Sequence, residues 1–75
     1  MKKYQLTAYI EHDEDTGLYV GIVPGIPGAH TQGKTLDELQ ENLKEVVELC
    51  IEELKRGKKL KLPHFIGLQT VEITA

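Results

Sequence analysis

Residues 35–57 read TLDELQENLKEVVELCIEELKRG, the longest periodic stretch of the chain. At 100° per residue its apolar side chains fall within one arc, as in a helix that packs against a core. Thr35 is placed to cap the first turn, Glu38 to close a capping box, and Gly57 to end the helix in a left-handed conformation. The sequence therefore predicts one amphipathic helix. Its predicted apolar arc consists of Leu36, Leu39, Leu43, Val46, Val47, Cys50, Ile51 and Leu54.

Two further groups of side chains lie outside this arc. Opposite it lies an acidic side that is relieved mainly by Lys44 and consists of Asp37, Glu38, Glu41, Glu45, Glu48 and Glu52. We define the acidic stripe as the last four of these residues, Glu41, Glu45, Glu48 and Glu52. Leu49 fits neither face and lies on the flank beside Asn42 and Glu53. Single exposed leucines are common on protein surfaces, so a neutral role is one interpretation. The other, which we favour testing, is that this flank joins a subunit contact or a contact with a protein partner.

The sequence before the helix alternates as strands do. Residues 3–11, KYQLTAYIE, place Tyr4, Leu6, Ala8 and Ile10 on one face, which predicts a strand with one core side. A polar loop over residues 12–17 ends in glycine, and residues 18–23 follow as a second β-rich run, so the pair predicts a hairpin. In the second strand we expect Leu18, Val20 and Ile22 on the core face, and Tyr19, Gly21 and Val23 on the other.

A Pro/Gly turn, a short strand and a late strand complete the pattern. Residues 24–28, PGIPG, interrupt pairing because proline cannot donate to a ladder and glycine permits a sharp change of direction. Residues 29–32 have room for one short strand, and residues 68–74 predict a last one with Val71 and Ile73 on one face. The predicted class is α+β, in the order β-β-β-α-β, with a four-stranded sheet covered by the helix on one face. Its other face, carrying Tyr9, Tyr19 and Val23, would be free for a contact between subunits.

The bulk composition describes one small globular domain. The chain has 75 residues, 40% of them hydrophobic, and a formal net charge of −3. A chain of this size buries only about 60% of its unfolded surface, so we expect a thin stability margin and a homo-oligomer, a dimer or tetramer. No apolar run is long enough to span a membrane or to form a signal peptide, and the cytoplasm is the expected compartment. The single cysteine, Cys50, is expected to be a buried thiol rather than a nucleophile.

No set of residues predicts catalysis or a cofactor. The acidic loop at residues 12–15 lacks the ligand spacing of a calcium loop and is better explained as a solvated turn. The three histidines are isolated, so a zinc site and any other metal site are unsupported. His30, flanked by glycines, is the best candidate for a functional histidine, although a structural role is the simpler interpretation. The basic patch at the end of the helix, Lys55, Arg56, Lys58, Lys59 and Lys61, is better explained as a C-terminal charge cluster than as a nucleic-acid site.

Residues 23–38, VPGIPGAHTQGKTLDE, together with the alternating first strand and the late Leu62-Pro63, resemble the HicB family of antitoxins and its short stand-alone members. The resemblance covers nearly the whole chain. It implies a partial ribonuclease-H-like fold with the strand order 3-2-1-4. Its structural motif residues here are Pro24, Gly25, Pro27, Gly28, Gly33, Thr35 and Glu38.

The resemblance also implies a function without catalysis. HicB proteins bind the HicA toxin, a small mRNA-cleaving ribonuclease, and cover its active site. Many carry a C-terminal DNA-binding domain; residues 1–75 predict a single HicB-like domain without one, and we do not expect direct DNA binding. The expected toxin-binding residues are Glu41, Glu45, Glu48, Glu52 and His30, and the expected subunit-contact residues are Leu49, Tyr9, Tyr19 and Val23.

Two alternatives stay open from the residues. The chain could be an orphan self-assembling or small-ligand-binding module that has kept the fold without a toxin. Metal-dependent nuclease activity rests on fold analogy alone, because fold and function separate, and the acidic residues lie on a turn and an outer helix face. We therefore expect a protein that is not an enzyme and uses no cofactor.

Overall fold

The computed structural model describes residues 3–57 and 60–75 and shows a small α+β fold. Three strands precede one helix, so the coarse prediction is confirmed. The strands pair antiparallel in the order β1-β2-β3. The elements are β1 (Tyr9–His12), β2 (Tyr19–Ile22), β3 (His30–Gly33) and α1 (Leu36–Arg56).

Helix α1 begins as its sequence predicts. The Thr35 hydroxyl accepts a hydrogen bond from the Glu38 backbone N–H at 3.0 Å, which satisfies one of the amides that a helix start leaves unpaired. The Glu38 carboxylate reaches back one residue further than in the usual capping box and accepts from the Lys34 N–H at 3.3 Å. At the other end, the predicted left-handed Gly57 is wrong. Its φ of −77° is right-handed, and its N–H continues the helical pattern to the Glu53 carbonyl.

The helix covers one sheet face, and two glycines let it approach closely. A Cβ on Gly21 would lie 3.0 Å from Leu43 Cδ1, and one on Gly33 would lie 2.6 Å from the backbone nitrogen of Leu39. Leu39 and Leu43 are accordingly buried. Because the helix lies directly over these backbone positions, β2 and β3 carry no side chain where the packing is tightest.

The predicted orientation of β2 is wrong by one residue. The register sets Ile10 opposite Gly21 and Tyr9 opposite Ile22. Since Gly21 faces the helix, Val23 faces it too and is only 4% exposed, while Ile22 points away and is exposed. A shift of one residue moves every side chain of a strand to the opposite face. Tyr19, Gly21 and Val23 therefore form the core side of β2, and Val20 and Ile22 the other side.

The core continues beyond the strands into the Pro/Gly turn. Val23, Ile26 and Ala29 form a buried cluster, against which parts of the helix and the flanking segments pack. Gly25 and Gly28 hold positive φ angles of 86° and 79°, a conformation that L side chains rarely adopt. The partly buried residues packed on the cluster are Leu6, Ala8, Val47, Cys50, Leu54 and Leu62. Leu36, placed in the apolar arc by its spacing, is instead exposed.

Two predicted strands differ from the structure. The first was expected over residues 3–11, but the ladder covers only Tyr9–His12, although burial alternates along residues 3–8 as in a strand. Residues 60–75 contain no strand, so no fourth strand is formed over residues 68–74 in the described part of the chain. Leu62 packs on the core, and residues 63–75 are exposed.

Candidate functional site

The acidic stripe lies on the outer side of α1. All four of its glutamates are exposed, and their spacing of four, three and four residues keeps them on one side of the helix opposite Leu39 and Leu43. None of the four carboxylates forms an ion pair or hydrogen bond with another residue in the described ranges 3–57 and 60–75. The stripe is therefore a row of like charges directed at solvent, spanning about 16 Å of helix at 1.5 Å per residue.

His30 lies on a different surface from the stripe. It is exposed and pairs in register with Ile22, whose side chain points away from the helix. The structure therefore brings the four glutamates together and leaves His30 on the opposite side of the sheet. A partner that contacts both groups has to reach around the sheet edge.

The sheet face away from the helix is uncovered. We define the uncovered face by its register as Tyr9, Glu11, Val20, Ile22, His30 and Gln32. Tyr9 and Ile22 are neighbours across the β1–β2 ladder, and both are exposed. They form an exposed apolar pair on a face whose remaining residues are the partly buried Val20 and the polar Glu11, His30 and Gln32. Of the expected subunit-contact residues on this face, Tyr9 is present, while Tyr19 and Val23 belong to the helix side, and Val23 is buried.

Tyr19 has a structural partner instead. Its ring stacks on that of His12 with 4.5 Å between centroids, directly across the β1–β2 ladder. His12 Nε2 also lies 3.3 Å from the Gly17 carbonyl oxygen, so this histidine ties the hairpin loop to the strand. His12 was expected in the loop; it is the last residue of β1.

Leu49 lies on the flank of the helix that overhangs β3. Its side chain is 66% exposed. Two turns earlier on the same flank, the Asn42 side-chain amide donates to the Gln32 carbonyl of β3 at 2.8 Å. Because β3 is an edge strand, this bond covers one backbone acceptor of the sheet edge. Leu49 therefore presents an exposed apolar side chain on the flank that carries Asn42, and its contact role stays a prediction.

Sequence reasoning missed an open cleft at the other side of the molecule. Residues 4–7, which lead into β1, and residues 62–65, which follow the helix, line a cleft of about 870 Å³. We call it the edge cleft. Its two walls are more than fifty positions apart in the sequence, so no local pattern signals it.

Metal ligation and membrane insertion find no structural support in the described residues. No three histidine, cysteine, aspartate or glutamate side chains within residues 3–57 and 60–75 are grouped as metal ligands would be. In the same ranges no helix has the length and apolarity needed to cross a bilayer. Cys50 is a free, half-buried thiol.

Comparisons with known proteins point to one family. A family model described as UPF0150-like matches residues 6–61. The chain is 46% identical over 67 residues to a UPF0150 protein of Thermotoga maritima, covering 89% of this chain and 87% of that one. A UPF0150 protein of Synechocystis sp. is 42% identical over 73 residues, covering 97% and 100%, and one of Archaeoglobus fulgidus is 52% identical over 64 residues, covering 85% and 87%. No solved structure gives a significant match.

Proposed function

The chain belongs to the UPF0150 family, and from that premise we propose that it is a non-catalytic binding protein, an antitoxin that covers the active site of a HicA-type toxin. The sequence resemblance to HicB antitoxins suggests the partner class. A toxin that cleaves mRNA has to present basic groups to the phosphate backbone, so its active surface suits an acidic partner. The complex would act where mRNA is translated, in the cytoplasm.

The acidic stripe is the observation that carries this proposal. Like charges four residues apart on a helix disfavour the folded state, and none of these four carboxylates forms an ion pair with a described cation. A row of exposed carboxylates steers a basic partner toward the helix and fixes its orientation, since charged surfaces act over about one Debye length before contact. His30, on the uncovered face, would belong to the rim of such a contact if the toxin reaches around the β3 edge.

The finer fold is part of the same proposal. In the partial ribonuclease-H-like arrangement a fourth strand lies beside β1, giving the order 3-2-1-4. Residues 68–74 are rich in the β-branched types that favour strands, and the edge cleft borders the segment leading into β1. We propose that residues 68–74 take the fourth position in the assembled protein.

Charge reversal tests the toxin-binding surface. Replacing Glu45 and Glu48 together by lysine places repulsive charge in the centre of the stripe, and we expect at least about tenfold weaker binding to a HicA-type toxin. The matched control is Glu14→Lys with Asp15→Lys in the hairpin loop, which makes the same change of net charge on exposed residues outside the helix. Titration calorimetry at two salt concentrations measures both, and the wild-type affinity should fall as salt rises.

Equal affinity of the stripe variant and the loop variant would exclude the stripe as the contact. Absence of binding to any HicA-type protein would reject the antitoxin function itself. RNA cleavage by the purified chain with Mg²⁺ would overturn the non-catalytic proposal.

A self-assembling module without a toxin is the second candidate. The exposed Tyr9–Ile22 pair on the uncovered face supports it, because a second molecule could bury this pair without any toxin. In another form of this candidate, the chain binds a small ligand in the edge cleft, whose volume of about 870 Å³ could hold one. Two results together would favour this candidate over the antitoxin function. The first is failure to bind a toxin, and the second is either a dimeric or tetrameric mass or a rise in melting temperature when a ligand is added.

A further inference from the structure

Residues 66–75, the trailing segment, carry apolar side chains that nothing in the described structure covers. Ile66 is 95% exposed, Leu68 79%, Val71 72% and Ile73 78%. The radius of gyration is 14.2 Å, against about 11 Å expected for a compact chain of this length. Residues 66–75 make no backbone hydrogen bond to another described residue. The segment therefore has the composition of a strand and lacks the partner that a strand needs.

The residues just before the trailing segment pack against the folded part of the chain. Leu62 packs against the buried core cluster. Pro63 lies over the Pro/Gly turn, since a Cβ on Gly25 would come within 2.7 Å of Pro63 Cγ. The chain is thus held at residues 62–63 and exposed from there onward.

A receiving edge lies beside this point. Leu6 and Ala8 pack against the core, while Gln5 and Thr7 are exposed, so residues 5–8 have the burial pattern of a strand. Residues 5–7 nevertheless form no backbone hydrogen bond to another described residue, and their backbone borders the edge cleft. Natural sheet edges are usually protected by charges or prolines, and residues 4–7, YQLT, contain neither.

The geometry of the chain directs the segment away from its own cleft. Residues 62–65 already form one wall of that cleft, so residues 68–74 could enter it only if the chain reversed at Ile66-Gly67. Gly67 is not among the glycines that hold a positive φ, and a Cβ there would meet nothing within 4 Å. The backbone forms neither a turn nor a bend at residues 66–67, so the chain makes no tight reversal there, and seven residues in extended form reach about 23 Å outward.

We propose that residues 68–74 of one copy bind as a strand in the edge cleft of a second copy, against residues 5–7, and that the second copy returns its own segment in the same way. The inference rests on the fourth strand proposed above and names the molecule whose sheet receives it; it does not depend on toxin binding. The exchange buries Val71 and Ile73 and pairs the unpaired backbone of both copies. The only charged residue in each segment is Glu72, so pairing brings few charges together. Two identical contacts related by a two-fold axis close the assembly as a dimer.

A pair of variants in the full-length chain tests the exchange. We expect the wild type to have twice the chain mass of 8.4 kDa by light scattering, with slowed amide hydrogen exchange at residues 5–7 and 69–73. Val71→Asp puts a charge on the apolar side of the strand and should reduce the mass to one chain and remove the protection of both segments. Thr70→Asp makes the same charge change on the opposite side of the strand and should leave the dimer intact.

Every other result contradicts the proposal in a distinguishable way. A monomeric wild type with both segments protected would show that the strand pairs within its own chain. A dimer whose residues 69–73 exchange freely would place the contact elsewhere. An equal effect of the two variants would show a response to charge alone, and circular dichroism of each variant establishes that α1 stays folded.

Discussion

Glycine positions decide how the helix meets the sheet. At Gly33 an added methyl group would lie 2.6 Å from the Leu39 backbone nitrogen and 2.9 Å from its Cα. Backbone atoms of a helix cannot move aside independently of the turn that contains them. The tight fit at Gly33 is therefore a steric requirement, and it does not arise from an unusual backbone conformation, because Gly33 lacks a positive φ.

Alanine at three glycines should give a graded loss of stability. We expect Gly33→Ala to lower the free energy of unfolding by about 1–3 kcal/mol through overpacking. Gly21→Ala should cost less, because its new methyl group would meet only the movable side-chain tips of Leu43 and Leu39. Gly67→Ala, with open space around it, should stay within about 0.5 kcal/mol of the wild type. Urea unfolding monitored by circular dichroism measures the free energy of unfolding of all three variants. Unchanged stability of Gly33→Ala would show that the helix lies further from the sheet than the structure places it.

Those same glycines explain why the orientation of β2 was predicted wrongly. Residues 18–23 are apolar on both sides, so a period of two does not distinguish the core face. Counting side chains favoured Leu18, Val20 and Ile22, yet the buried centre of the strand is Gly21, whose missing side chain leaves room for Leu39 and Leu43. Sequence periodicity shows which positions carry apolar side chains. It does not show where a packed helix requires a position without a side chain.

At the scale of elements, the helix was predictable because its signals are local. The cap at Thr35, the apolar spacing and the acidic stripe all follow from positions within one segment, and the Thr35–Glu38 hydrogen bond and the buried Leu39, Leu43 and Ile51 agree with them. The fourth strand was not established in the same way. An alternating sequence is sufficient for a strand only if an edge is available to pair with it, and the choice of edge is not encoded locally.

Loss of the helix cap should weaken the fold measurably. Thr35→Ala removes the acceptor of the Glu38 N–H and should cost about 1 kcal/mol of unfolding free energy. Thr35→Ser keeps a hydroxyl at the same position and should retain most of the wild-type stability. Thermal unfolding of both variants distinguishes the lost hydrogen bond from the lost methyl group; equal destabilisation by serine and alanine would mean that the hydroxyl contributes little.

At the scale of the whole molecule, three surfaces differ in the chemical character of their side chains or in how they are formed. The outer side of α1 is acidic, the uncovered face carries an apolar pair, and the edge cleft lies between two segments distant in sequence. The stripe could be located from the sequence since helix geometry fixes it. The cleft could not be, because it exists only once the segment after the helix has returned to the start of β1.

Leu49 tests whether the flank of α1 contacts another molecule. If the flank is an interface, Leu49→Asp buries a charge without a partner. We then expect either a lower solution mass or an affinity for the toxin that is weaker by at least about tenfold. Gln40→Asp adds the same charge at another exposed position of the helix and serves as the control. Unchanged mass together with unchanged toxin affinity for Leu49→Asp would leave this leucine as an ordinary exposed side chain.

The hydrogen bond from Asn42 to the Gln32 carbonyl has a consequence for how far assembly can proceed. It occupies one backbone acceptor on β3, so the two margins of the sheet are unequal: one is partly blocked by the protein's own helix and the other is open. A molecule with two open margins could add copies without end and form fibres. With the β3 margin partly covered by the helix, addition there is disfavoured, and the reciprocal exchange at the other margin closes the assembly as a pair.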